Sequence, residues 1–239
     1  SGRPVMGAPV SSAGMEEAEL CRLAACLHAG GTRTLGLGMS LGDLCMDEGF
    51  YPAVFAQLAA AAARLREKSG LTVRIFDLGG GFGVSCRPDC PGPDLSACAE
   101  ALRAQTCALP EALQGVQLSM SPGRFLAAGG GVLVCRVVAV KPGLTAVLDV
   151  SAAQCLRLEK RGAYHAAAAL RTAGRPPLLQ QLTALEQGAP FARQVLPQLR
   201  VGDPVIIRML GADGRSFSCA SERCPAYLLR ADGTIEPIE

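Results

Sequence analysis

Three short segments combine residue types that bind anions and do acid–base work, and each closes an apolar run: "MSLGD" (39–43), "DLGGGFG" (77–83) and "SPGR" (121–124). Consecutive glycines at a strand end let several backbone N–H groups turn toward one anion, because no Cβ blocks its approach. Gly79, Gly80 and Gly81 are therefore a candidate phosphate cradle. Gly123 and Arg124 are a second contact, the guanidinium offering a charged fork to the same phosphate. Read alone, three glycines are also a tight turn with no ligand. If the segments converge, Ser40, Asp43, Ser121 and Arg124 surround one cavity; the alternative is a set of solvated polar loop ends.

Convergence requires parallel strands, and the first half of the chain has the rhythm that builds them. "MEEAELCRLAACLHAGG" (15–31) has helical spacing, acids in its first turn and glycines at its end. "TLGLGMSLG" (34–42) is a short strand candidate, and "YPAVFAQLAAAAARLREKSG" (51–70) is an Ala-rich helix with a basic, Gly-terminated last turn. "LTVRIFDLGGG" (71–81) is a β-branched run, "DLSACAEALRAQT" (94–106) a helix opened by an Asp cap, and "GVQLSMSPG" (115–123) a third strand. The alternation predicts parallel strands with helices outside, and in α/β barrels function sits at the C-terminal strand ends. After about residue 132 the pattern changes to strands separated by Gly, Pro and Asp turns, with one or two helices expected around 163–195. The expected organisation is an α/β part over 1–131 followed by an all-β part over 132–239.

Composition narrows the function classes. Apolar residues make up 49% and charged residues 18% of 239 residues, a globular balance with a sizeable core. The net charge of +2, the absence of Trp and the three Tyr argue against a nucleic-acid surface. The apolar stretch at "FLAAGGGVLVC" is cut by Arg136 and is too short to cross a bilayer, so no membrane role is expected. No basic start followed by an apolar block is seen, and a cytoplasmic location with reduced thiols is expected. Cys21, Cys26, Cys98 and Cys135 fall in apolar patterns that suit small buried hydrophobes. "CRPDC" (Cys86, Cys90) is a close pair that leaves a disulfide open, and two His give a metal site little to build on.

The spacing of "DLGGGFG" to "SPGRFLAAGGGVLVCRVVAVK", with "GLGMSLGD" (36–43) before it, resembles the fold type III pyridoxal-phosphate decarboxylases. These are the ornithine, arginine, lysine and diaminopimelate decarboxylases, with the antizyme inhibitors as non-catalytic relatives. "VMGAPVSS", "LDVSAAQ", "RGAYH" (161–165) and "LPQLRVGDPVIIRMLGAD" (196–213) extend the resemblance over nearly the whole chain. It implies the C-terminal part of an alanine-racemase-like TIM barrel followed by a β-sandwich or β-barrel domain. It also implies that Gly79, Gly80, Gly81, Gly123 and Arg124 descend from the cofactor's phosphate cradle.

The same resemblance marks replaced positions. The family's His that stacks on the cofactor ring is Ser40, and its phosphate-holding Ser is Asp43, whose charge opposes a phosphate dianion. The Glu that keeps the pyridinium nitrogen protonated is Ser121, and the Tyr that touches the phosphate is Asp213. The family's substrate-side Cys falls on Ala184, or on Leu185 with a one-residue shift. The lysine that joins the cofactor lies on an early barrel strand, ahead of the matching segments; Lys68, Lys141 and Lys160 match other parts of the fold. The implied protein is a degenerate relative with no catalytic residue, no metal and no bound cofactor, acting on a partner in amino-acid or polyamine metabolism. The implied assembly is a homodimer, or a heterodimer with a decarboxylase-like subunit. The alternative is a pyridoxal-phosphate-dependent decarboxylase whose lysine lies upstream; a third reading is a cofactor-independent catalyst built on the four polar loop residues.

Overall fold

The computed structural model describes residues 14–40, 45–85, 90–151, 165–185, 190–212 and 224–238. They form two compact units, one of residues 14–85 and 91–125 and the other of residues 126–238 with Cys90.

In the first unit helices and strands alternate. Helix α1 (Glu17–Ala29) opens on Glu17 and Glu19, acidic residues that suit the positive end of its dipole. Strand β1 (Thr34–Gly38) leads to helix α2 (Phe50–Ser69), whose Val54, Phe55, Leu58, Ala62 and Leu65 repeat at helical spacing and are buried. Gly70 ends α2 at φ +75°, with its N–H donating to the Arg66 carbonyl. Strand β2 (Thr72–Asp77) follows, then helix α3 (Leu95–Cys107), whose first turn is capped by Asp94 accepting from the Ser96 and Ala97 N–H groups. Strand β3 (Gln117–Ser119) completes the unit's alternation, and the short helix α4 (Gly123–Ala127) begins at the end of this unit.

The three strands are parallel, in the order β1-β2-β3. One face of this sheet is covered: Val73, Phe76 and Leu78 pack with Phe55, Leu58 and Leu65 of α2 and Leu102 of α3 in one core. On the other face Gly36, Ile75 and Gln117 stand in register across the strands, all exposed. Across the surface Arg64 of α2 makes a forked pair with Glu17 of α1, both contacts 2.8 Å.

The second unit is β-rich. Strands β4 (Leu133–Lys141), β5 (Thr145–Leu148), β6 (Ala167–Ala169), β7 (Pro177–Thr183), β8 (Pro190–Pro197) and β9 (Pro204–Ile207) make one six-stranded sheet, in the order β6-β9-β4-β5-β7-β8. All neighbours are antiparallel except β5 and β7. Its core is Cys135, Val137, Leu148, Leu182, Phe191, Leu196, Val205 and Ile207. Two buried amides stitch it: Gln180 donates to the Leu196 and Pro197 carbonyls and accepts from Leu199, while Gln194 donates to the His165 carbonyl and accepts from Ala167. Strands β10 (Ala226–Leu229) and β11 (Ile235–Ile238) form a separate antiparallel hairpin.

Two expectations are corrected. Among the described residues of 163–195 there are strands β6, β7 and β8 and no helix. The Ala-rich and Leu/Gln-rich stretches there are helix-prone locally, but pairing with β9, β5 and one another prevails. Cys26 is exposed on α1 rather than buried, whereas Cys98 and Cys135 are in the cores. The Cys86–Cys90 pair cannot be placed, because Cys86 lies outside the described residues.

Candidate functional site

The parallel ladder of the first unit runs on past its strand ends and sets the site. Beyond β1 the Met39 N–H donates to the Asp77 carbonyl at 3.0 Å, and beyond β2 the Leu78 N–H donates to Ser119 at 2.9 Å. The Ser121 N–H then donates to the Gly79 carbonyl at 2.8 Å, so the glycine loop is held beside the loop after β3.

The glycines are required here. Gly79 has φ +72°, and a Cβ built on it would lie 2.6 Å from the Met39 carbonyl oxygen and 3.3 Å from the Ser40 Cβ. A Cβ on Gly80 would lie 2.5 Å from the Ser121 carbonyl oxygen. Ser40, Gly79, Gly80 and Ser121 are thus brought together at three neighbouring strand ends. Arg124 lies in α4, one residue after Gly123. Asp43 and Asp213 lie outside the described residues. Ala184 is buried in the core of the second unit, and the adjoining Leu185 is exposed.

Not every cradle N–H is available. Asp77 accepts the Gly79 N–H at 2.9 Å, a local turn that gives this carboxylate a structural task. Gly123 donates to the Ser121 carbonyl at 2.8 Å. The N–H groups of Gly80 and Gly81 donate no hydrogen bond among the described residues, and both glycines are half-buried. Two adjacent, unpartnered N–H groups among positive-φ glycines are the donors from which a small anion nest is built.

Sequence reasoning missed Tyr51. It sits in the first turn of α2, 2% exposed, and its hydroxyl donates to the Gly80 carbonyl at 2.9 Å. Its ring stacks on Phe82 at 3.9 Å and 13°, and Phe82 in turn meets Phe125 at 6.0 Å. Burial pushes the Tyr51 phenol well above its ordinary range, with Cys45 and Cys98 adding to the shift, so it remains a proton donor to its carbonyl partner. The signal available was a lone aromatic pair, "FY", heading an otherwise Ala-rich helix that follows the first strand end.

Comparison with known proteins gives the fold and loop a lineage. Residues 14–128 match the family described as pyridoxal-dependent decarboxylase, pyridoxal binding domain. TabA of Pseudomonas amygdali pv. tabaci is 31% identical over 232 residues, 93% of this chain and 54% of that protein. Diaminopimelate decarboxylase of Campylobacter jejuni is 33% identical over 68% of this chain and 41% of its own length. The crystal structure of diaminopimelate decarboxylase from Helicobacter pylori complexed with L-lysine (an I148L mutant in its own numbering) superposes with TM-score 0.79. It does so at 22% identity, over 98% of this chain and 59% of that one. The chain belongs to the fold type III pyridoxal-phosphate decarboxylase family. Its fold is that family's partial α/β barrel followed by a β domain. The chain spans about half the length of the curated relatives it matches.

The family's cofactor can be tested against the residues present. Its phosphate end fits the nest of Gly80 and Gly81, which offers two N–H donors. At the positions that the resemblance assigns to its ring, Ser40 offers no ring face to stack and Ser121 no charge to hold a pyridinium proton. Among the described residues no cluster of three His, Cys, Asp or Glu is placed to hold a metal ion. No helix among them is long and apolar enough to cross a membrane.

Proposed function

We propose that this protein is a catalytically degenerate member of its family. It retains affinity for a phosphate group and acts by binding or regulating a partner, in amino-acid or polyamine metabolism. The observation that supports this reading is Ser121. Its N–H holds the Gly79 carbonyl at 2.8 Å, so the strand-end geometry is intact, yet its side chain is neutral where the family carries a carboxylate. Without that charge a pyridine ring is a poor electron sink, and decarboxylation loses its driving element. Ser40, which stands in place of the ring-stacking His, removes a second support of the same ring.

A second reading is a pyridoxal-phosphate-dependent decarboxylase of basic amino acids whose cofactor-joining lysine lies in a preceding segment. The unpartnered Gly80 and Gly81 N–H groups favour it, as does the match to diaminopimelate decarboxylases. One experiment separates the two. The full-length protein is titrated with pyridoxal phosphate, reduced with borohydride and mapped by mass spectrometry. The degenerate reading expects no specific adduct and no cofactor absorbance band; a stoichiometric adduct on one lysine overturns it in favour of the second.

A further inference from the structure

The orientation of the anion nest is set by the carbonyls on its other side. In a trans peptide the C=O of one residue and the N–H of the next point in opposite directions. The described chain contains no cis bond, so fixing a carbonyl also aims the following N–H. Three successive glycine carbonyls are fixed this way. Gly79 accepts from the Ser121 N–H at 2.8 Å, Gly81 accepts from the Cys45 N–H at 2.8 Å, and between them Gly80 accepts from the Tyr51 hydroxyl at 2.9 Å. The outer two bonds are main chain to main chain and use no side-chain atom. The middle one depends on a single hydroxyl delivered by α2 from 29 residues away in sequence.

We infer that Tyr51 is a positioning residue for anion recognition, its hydroxyl turning the Gly80–Gly81 peptide so that the Gly81 N–H faces the ligand. The inference rests on the reading that this loop retains affinity for phosphate. The hydroxyl is the clamp on the loop, and the Tyr51 ring packs on Phe82 beside it as a separate apolar contact. No charge moves in this arrangement. Tyr51 acts only through the direction of one peptide plane, and the loop's glycines make that plane easy to flip once released.

The test uses the 15N-labelled full-length protein, Tyr51→Phe, and inorganic phosphate as the probe. Without phosphate, Y51F is expected to shift the Gly81 amide resonance more than any other in the loop and to speed hydrogen exchange there. With phosphate, the Gly80 and Gly81 resonances of the unmodified protein should move on titration, and Y51F should weaken that response about tenfold, the scale of one hydrogen bond to a charged group. Phe82→Leu loosens the same aromatic cluster while sparing the hydroxyl. It should lower stability yet leave the phosphate response of the folded protein within about twofold, a loss of packing without loss of orientation.

An unmoved Gly81 resonance in phosphate-free Y51F overturns the clamp. Equal phosphate affinity in Y51F and the unmodified protein overturns its role in recognition. If the unmodified protein's glycine resonances ignore phosphate, the phosphate reading fails, and the recognition role fails with it. The phosphate-free comparison then still decides whether Tyr51 orients the loop.

Discussion

Gly80 is the residue on which the site turns, because its missing side chain lets the loops after β2 and β3 meet. Gly80→Ala would put a methyl group 2.5 Å from the Ser121 carbonyl oxygen, well inside contact distance. One of the two loops must then move. The substitution should cost about 1–3 kcal/mol of stability, the usual range for overpacking, and abolish the phosphate response of the Gly80–Gly81 nest. Chemical denaturation with a phosphate titration of the folded variant checks both parts; an unchanged midpoint and affinity would show that the contact is slack. The need for glycine could be read from the sequence because three in succession at a strand end mark backbone that a Cβ would obstruct. Tyr51 could not, because its partner is a carbonyl whose direction is fixed only when α2 packs on the sheet.

At the scale of elements, local signals governed the first unit. Asp94 caps α3 with bonds of 2.9 and 3.1 Å to Ser96 and Ala97, as an Asp at the head of a helical pattern suggests. Asp94→Ala should cost about 1 kcal/mol and speed amide exchange in the first turn of α3, with little effect at α2. In the second unit the same kind of reading failed at 167–183, where Ala-rich and Leu/Gln-rich runs became strands. Their ladder partners lie far along the chain: Ala167 pairs with Ile207, and Leu178 with Leu196. Local composition cannot carry such pairings.

The turn that leads into β9 depends on Asp203, which is bonded to the Arg175 guanidinium and accepts from the Arg200 N–H at 2.7 Å. Burial works against the Asp203 carboxylate, but the Arg175 and Arg200 contacts outweigh it and hold its pKa below the ordinary value. A group whose pKa is depressed by folding contributes stability above its unfolded-state pKa and loses it as pH falls through the folded one. Asp203→Asn should therefore cost on the order of 2 kcal/mol near neutral pH and flatten the acid limb of the stability profile. Thermal melts from neutral pH to pH 3 check this; parallel acid limbs in the two proteins would remove Asp203 from the account.

For the molecule as a whole the open question is what meets the parallel sheet at its sides. In the order β1-β2-β3 both outer strands lack a second partner among the described residues. Exposed edges are usually guarded by charge, proline or a bulge that turns the strand away. Strand β1, "TLGLG", has neither charge nor proline, and its register shift between Leu35 and Gly36 is the one irregularity. Strand β3, with three residues, is short enough to be poor bait. We therefore expect association through β1, as a homodimer or with a decarboxylase-like subunit. Light scattering of the 239-residue chain at micromolar concentration should give a mass above that of one chain. Gly36→Lys supplies the missing guard. A Cβ at Gly36 finds only an ordinary 3.5 Å contact with the Ile75 Cβ, so the fold tolerates the change while an ammonium is set beside the edge. The variant should shift the equilibrium toward one chain. A clean monomer of the unmodified protein, or an assembly indifferent to G36K, would place the partner's contact elsewhere.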